Sequence, residues 1–191
     1  MTKLDDMNTE YVLAIDPSFT STGFAIIDVH TTQPVYIDKF TTSSKHSDDE
    51  RMNMIITKLF SVVSQYPIKD VVLEDGFLGK NARTCMQLSI LRGGIIGTFN
   101  FCKYSVNHFL PSQIRMELGV GGQAKKEEVA IAIQEMFKDN PVIQAIGPYS
   151  DKKNKDKTSD KYDAVAVGVA YCKMRKRILE ELHDETNNTR T

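Results

Sequence analysis

Cysteine is scarce in this chain: only Cys85, Cys102 and Cys172 occur, and no two of them form a CxxC pair. An odd number scattered through apolar stretches reads as free, mostly buried thiols, which suits a reducing cytoplasm rather than a disulfide framework. Long apolar runs are absent too, since no uninterrupted stretch approaches membrane-spanning length. The first apolar run is preceded by Asp5, Asp6 and Glu10 instead of the basic-then-apolar order of an export leader. Secretion and membrane insertion are therefore not expected, and the cytoplasm of a bacterial cell is. Charge of one sign is also missing: the net value is -1 and the pI about 6.4. Bulk charge thus neither demands nor excludes a nucleic-acid partner, and its distribution must decide. The histidines, His30, His46, His108 and His183, have no metal-ligand spacing and read as structural or solvated, with His108 alone expected near a site.

Enough is present for one folded domain. The chain has 191 residues, 41% hydrophobic and 26% charged, which is ordinary for a globular protein and short for two domains. Residues 1–9 are polar and read as a tail, 10–183 as the domain and 184–191 as a second tail. Tyr11–Ile15 is a short, partly β-branched run that stops at Asp16-Pro17, so it predicts a buried strand ending in a turn. Gly23–Val29 and Val35–Phe40 predict two further strands in an antiparallel meander. Met52, Ile55, Ile56, Leu59, Phe60 and Val63 repeat at helical spacing up to Tyr66-Pro67. A short strand VVL follows and ends at Glu74. Residues 81–103 predict one long helix despite Gly93 and Gly94, which are expected to permit close packing.

Ser105–Leu110 predicts a fifth strand, and Pro111 opens a helical turn carrying Arg115 before a glycine break at 119–122. Ala124–Phe137 predicts a helix. The segment 138–159 contains Pro141, Gly147, Pro148 and the lysines Lys152, Lys153, Lys155 and Lys157, and reads as a mobile Lys-rich loop. Asp160–Leu182 predicts a last helix, small and apolar in its first half (DAVAVGVA) and basic in its second (KMRKR). The order β-β-β-α-β-α-β-α-α describes an α/β domain with a mixed sheet.

Acidic residues at strand ends point to chemistry. Asp16 and Glu74 each close an apolar strand, so neighbouring strands would present them side by side. Asp160 and Asp163, three apart, share one helix face, and Ala164, Ala166, Gly168 and Ala170 allow that helix to approach a sheet. Converging carboxylates repel one another and raise each other's pKa unless divalent cations sit among them. Hard oxygen ligands suit Mg2+ or Mn2+, and two such ions can drive in-line displacement at a phosphodiester. Each residue alone has a plainer reading: an Asp before Pro forms turns, and either Asp160 or Asp163 suits an N-cap. The joint pattern carries the argument.

AIDPSFTSTGFAII, VVLEDGF, KNARTCMQLSILRGG and SDKYDAVAVGVAY, in that order, resemble RuvC-type Holliday-junction resolvases of the ribonuclease-H-like superfamily, over about residues 11–180. The resemblance implies a ribonuclease-H-like fold, a five-stranded mixed sheet flanked by helices. It places the family's metal-binding carboxylates on Asp16, Glu74, Asp160 and Asp163, with two Mg2+ per site (Mn2+ able to substitute). It implies branched DNA, four-way junctions above all, as substrate, and a homodimer whose interface uses the helix at 81–103. Phe77 matches an aromatic near the junction crossover. Arg115 and Lys126, with Lys125 as the alternative, fall near basic residues that approach the cleaved backbone, and Lys126 is also assigned to the catalytic set. Lys80 and Arg83 are assigned with them to the DNA-binding face.

Ser18 stands where the family commonly has glycine, and the Lys-rich segment is longer than expected. These departures point to a divergent, phage-type member and leave branch-migration partners open. Three other readings stay open on sequence alone. One is a broader nuclease of forks, flaps and three-way junctions. Another is a noncatalytic branched-DNA-binding dimer, against which the acidic set speaks. The last is an actin-like or sugar-kinase-like ATPase, for which a second good phosphate turn is missing.

Overall fold

In the computed structural model, which describes residues 10–76, 81–149 and 152–188, the chain forms a five-stranded sheet in the order β3-β2-β1-β4-β5. The strands are β1 (Tyr11–Asp16), β2 (Ser21–Asp28), β3 (Pro34–Thr41), β4 (Ile68–Glu74) and β5 (Ser105–Phe109). β1, β2 and β3 pair antiparallel as a meander. β4 and β5 add parallel to β1 and to each other through the crossover helices α1 (Asp48–Val63) and α2 (Ala82–Phe101).

Alternation along the strands separates two cores. Leu13, Ile15, Phe24, Ile26, Val71 and Leu73 face α1 and α2 and pack with Ile55, Leu59, Leu91, Ile95 and Phe99. Val12, Ala14, Ala25, Ile27 and Val72 face the opposite way, onto α3 (Pro111–Leu118), α4 (Lys126–Met136), α5 (Pro141–Ile146) and α6 (Lys152–Asn188). Both faces of β1 are covered, so its run of apolar residues is continuous rather than alternating. Ser47 begins α1 by a reciprocal capping box with Glu50. Gly119, at φ 81°, ends α3 in the left-handed conformation that glycine adopts without strain.

The segment 138–159 is not the loop that its lysines and prolines suggest. Pro141 occupies the first turn of α5, where its missing N–H costs nothing, and the Asn140 side chain accepts from the Val142 and Ile143 amides. Tyr149 is buried edge-on against Tyr162, 5.9 Å between centroids, and the Tyr162 hydroxyl donates to the Gly147 carbonyl at 2.7 Å. α6 begins at Lys152, eight residues before the expected start, and continues to Asn188 through most of the segment read as a tail. Charge is compatible with helix as well as with loop, and the small-residue half of α6 anchors it: Ala164, Val165, Ala166, Val167, Val169 and Ala170 are buried.

Two smaller expectations also change. Only Cys172 is buried, whereas Cys85 is half-buried and Cys102 exposed. Gly94 does permit close packing, against Met52, but among the described residues a side chain at Gly93 or Gly97 would meet nothing within 4 Å.

Candidate metal and phosphodiester site

The two cores determine which residues share the site. On the face covered by α6, Ala14 is followed by Asp16 two residues on, and Val72 by Glu74. Across the antiparallel pairs, Asp16 is opposite Gly23, and Gly23 opposite Lys39. Ile37 packs on the α6 side, so Lys39 falls on that side as well. β1 and β4 run parallel and pair Ile15 with Leu73, which brings Asp16 and Glu74 side by side at their carboxyl ends. One row across four strands therefore reads Glu74, Asp16, Gly23, Lys39.

α6 delivers the remaining acids to this row. A Cβ built on Gly23 would lie 1.9 Å from the Asp160 carbonyl oxygen, and one on Gly168 would lie 2.5 Å from Ile27 Cγ1 and 2.9 Å from Ala14 Cβ. The helix thus rests directly on β1 and β2 at two glycines, one in the sheet and one in the helix. Asp16, Asp160 and Asp163 each offer a carboxylate oxygen, and these oxygens lie within 4.8 Å of one another. Glu74 stands beside this trio on β4 and joins it electrostatically.

Burial raises the Asp16 carboxyl well above its ordinary range, and the charges of Asp163 and Glu74 add to the effect. Burial and Asp163 push Glu74 up to about 7, against the opposing pull of Lys126, Arg115 and Arg92. Asp163, itself buried, is raised by desolvation although Lys126 and Ser159 hold it down. Desolvation works to lower the Lys126 ammonium, but Asp163, Asp16 and Glu74 together raise it.

The turns beneath the acids are braced. Thr22 donates its hydroxyl to the Ser18 carbonyl at 2.6 Å and accepts from the Ser18 amide at 3.3 Å, closing the loop after Asp16 without a glycine at position 18. Phe19 and Arg51 are buried, with the guanidinium 5.0 Å over the ring. Arg51 also donates to Thr42 at 2.8 Å and pairs with Asp48 at 3.3 Å. Past Glu74, the Asp75 amide donates to the Phe109 carbonyl at 2.7 Å. The Asp75 carboxylate meets His108 at 3.2 Å and Arg92 at 3.7 Å. His108 is thus beside the site, as expected, but contacts the turn.

Of the expected basic residues, Lys126 is at the cluster, its Nζ 2.5 Å from Asp163 Oδ2. Lys125 precedes α4, where its backbone amide donates to the Glu128 carboxylate at 2.6 Å. Arg115 reaches the Gly122 carbonyl at 3.4 Å, and Arg83 is exposed in the first turn of α2. Phe77 and Lys80 lie outside the described residues. Four residues at the site escaped the sequence reading: Gly23, Lys39, Arg51 and Arg92. Lys39 was reachable by counting alternation from Ile37, but only with the register of the β2/β3 hairpin in hand.

Residues 12–171 match the family described as crossover junction endodeoxyribonuclease RuvC. A relative so described from Ehrlichia ruminantium is 27% identical over 165 residues, covering 84% of this chain and 94% of its own. Another, from Citrifermentans bemidjiense, is 28% identical over 163 residues, covering 84% and 90%. Among solved structures, Thermus thermophilus RuvC bound to a Holliday junction superposes with a TM-score of 0.69 at 19% identity, covering 88% of this chain and 96% of that one. The yeast mitochondrial Holliday junction resolvase superposes at 0.65 and 10%, covering 88% and 80%. At these identities the superpositions speak for the ribonuclease-H-like fold.

Proposed function

The chain belongs to the RuvC family of crossover junction endodeoxyribonucleases, and from that membership and the geometry above we propose that Asp16, Glu74, Asp160 and Asp163 hold two Mg2+ ions beside a scissile phosphate. The protein is a structure-selective endonuclease of Holliday junctions. The observation that carries the site assignment is the meeting, within 4.8 Å, of carboxylate oxygens from β1 and from two turns of α6. Burial and mutual repulsion raise Asp16 and Asp163, so the set gains stability when hard cations enter. Mn2+ has the same ligand preference and is expected to substitute.

When bound, a pair of such ions supplies an activated water and stabilisation of the leaving oxygen in an in-line displacement. The remaining work belongs to the chain. Gly23 and Gly168 let α6 hold Asp160 and Asp163 against the strand ends. Lys126 stands at the rim and contributes a charge-assisted donor toward the phosphate. Arg115, Arg83, Lys125, Phe77 and Lys80 complete the DNA face, the aromatic ring by stacking on a base at the crossover. Hydrolysis breaks one P–O bond and leaves a 5′-phosphate and a 3′-hydroxyl.

Paired nicks need two sites, and α2 offers the surface that pairs them. Met86, Ile90, Gly93, Gly97 and Phe101 recur three or four residues apart and make one exposed stripe. The opposite stripe, Leu91, Ile95 and Phe99, is buried. Two glycines with none of the described residues over them, flanked by exposed apolar side chains, suit close approach of the same helix from a second copy.

The deciding experiment is cleavage of a synthetic four-way junction in Mg2+, mapped on all strands, with Asp16→Asn, Glu74→Gln and Asp163→Asn as comparisons. Symmetric paired nicks are expected from the wild type and none from the variants. Normal cutting by all three variants removes the site. Three-way junctions, flaps and linear duplex at the same salt measure how strict the four-way preference is.

A further inference from the structure

We propose that Lys39 is a second cationic arm of this site: it holds Asp160 in the metal-free protein and turns to a phosphate of the cleaved strand, on the β3 side, once divalent ions take Asp160. The proposal rests on the metal-site reading above and adds to it a residue that neither the family motifs nor the charge pattern single out.

The geometry is specific. Lys39 occupies the same sheet row as Glu74 and Asp16, two strands from Asp16, with only Gly23 between. Because Gly23 has no side chain, the turn of α6 at Asp160 descends onto β2 at this point, and Asp160 bridges the gap. One side of Asp160 faces Asp16 and Asp163 within ligand-sharing distance. On the other, Lys39 Nζ lies 3.7 Å from its Oδ2. Lys126 meets Asp163 from the α4 side at 2.5 Å. Two ammonium groups on different elements therefore flank one acidic cluster.

Lys39 is not a freely waving surface lysine. Its side chain is 21% exposed, and it is fixed to a strand paired with β2 over seven residue pairs. In the metal-free state it lowers the repulsion felt by Asp160. A divalent ion on Asp160 displaces that role by like-charge repulsion; Asp38 beside it is already shared between Lys58 and Lys161, so the lysine turns to the DNA backbone approaching the same cluster. The two lysines would thus receive the strand on either side of the scissile bond, with Lys39 setting the limit toward β3.

Two consequences separate this from a passive salt bridge. A built-in cation competes with the metal, so Lys39→Met, which keeps the apolar stem, should bind Mn2+ severalfold tighter in calorimetry on the protein alone. A phosphate contact should be lost at the same time. In a Glu74→Gln background with Mg2+, where cutting is blocked, adding Lys39→Met should reduce the salt dependence of junction binding by about one counterion. Single-turnover cleavage by Lys39→Met should be slower, and Lys39→Arg should restore both rate and salt slope.

Unchanged Mn2+ affinity together with an unchanged salt slope overturns the proposal. Tighter Mn2+ binding without a change in slope overturns its phosphate half and leaves Lys39 as a counter-ion only. If the wild type cuts no branched DNA, the function reading fails by itself, and the Mn2+ titration still decides whether Lys39 guards the acids.

Discussion

Replacing Glu74 by Gln should destroy cleavage and yet make the metal-free protein more stable. Glu74 has an ordinary pKa of 4.5 and is pushed up to about 7 by burial and by Asp163. Below pH 4.5 it is protonated in the folded and unfolded chains alike and costs nothing. Between pH 4.5 and 7 the unfolded chain releases its proton while the folded one retains it, so the folded state loses stability as pH rises. Above about pH 7 the full cost is present. The gap is worth about 3 kcal/mol as a ceiling, and water reaching a half-buried carboxylate at the sheet edge reduces it to about 1–2 kcal/mol.

Gln has nearly the same shape and no charge. Melts in EDTA at pH 8 should therefore show the variant ahead by about 2–4 °C for each kcal/mol recovered, with the two proteins converging at pH 4.5. Saturating Mg2+ should raise the wild type, because the ion binds only the folded site, and should raise the variant less, closing or reversing the gap. A Glu74→Gln protein that melts below the wild type in EDTA at pH 8 refutes the reasoning, since the carboxylate would then be stabilising without a metal.

Gly23→Ala should move the turn of α6 that carries Asp160, because its Cβ would fall 1.9 Å from the Asp160 carbonyl oxygen; a loss of about a hundredfold in single-turnover rate is expected, and a near wild-type rate would show that α6 is not seated there. Gly168→Val meets Ile27 and Ala14 at the same interface and should cost about 1–3 kcal/mol in urea unfolding; an unchanged midpoint would show that α6 does not rest on β1 and β2 there. Lys126→Ala should slow cleavage by about two to three orders of magnitude, whereas Lys125→Ala, which removes a DNA contact away from Asp163, should slow it far less; equal effects would mean that contact with Asp163 is not what matters. Ile90→Glu should turn a dimer into a monomer in light scattering, and an unchanged mass would clear the exposed α2 stripe of that role.

The strand ends were legible in the sequence because β1 and β4 are covered on both faces and so read as unbroken apolar runs that stop at an acid. The order of elements and the pair Asp160 and Asp163 on one helix face followed from periodicity. What stayed hidden depends on register. Gly23 looks like any strand glycine until it is placed opposite Asp16 and under Asp160. Lys39 looks like any edge-strand lysine until its partner across the hairpin is known. The loop assigned to 138–159 failed for a different reason: a short helix built on Asn140, Pro141 and Gly147 uses the same residues that mark turns, and only the burial of Ile143 and Tyr149 distinguishes the two.

That burial bears on how the site is tolerated at all. Four acids drawn together without cations push their elements apart, and the elements that carry them are anchored by runs of buried apolar residues. β1 is buried from Val12 to Ile15, and α6 is buried without a break from Tyr162 to Cys172, Asp163 at the site and Gly168 against the sheet included. Repulsion at one end of such elements is resisted by apolar area along their whole length, at roughly 25 cal/mol for each Å² removed from water. The lysines then reduce what the core must withstand, Lys126 on Asp163 and Lys39 on Asp160. A metal-free protein lacking both lysines should for that reason be the least stable variant of the site at pH 8 and should regain more from Mg2+ than the wild type does.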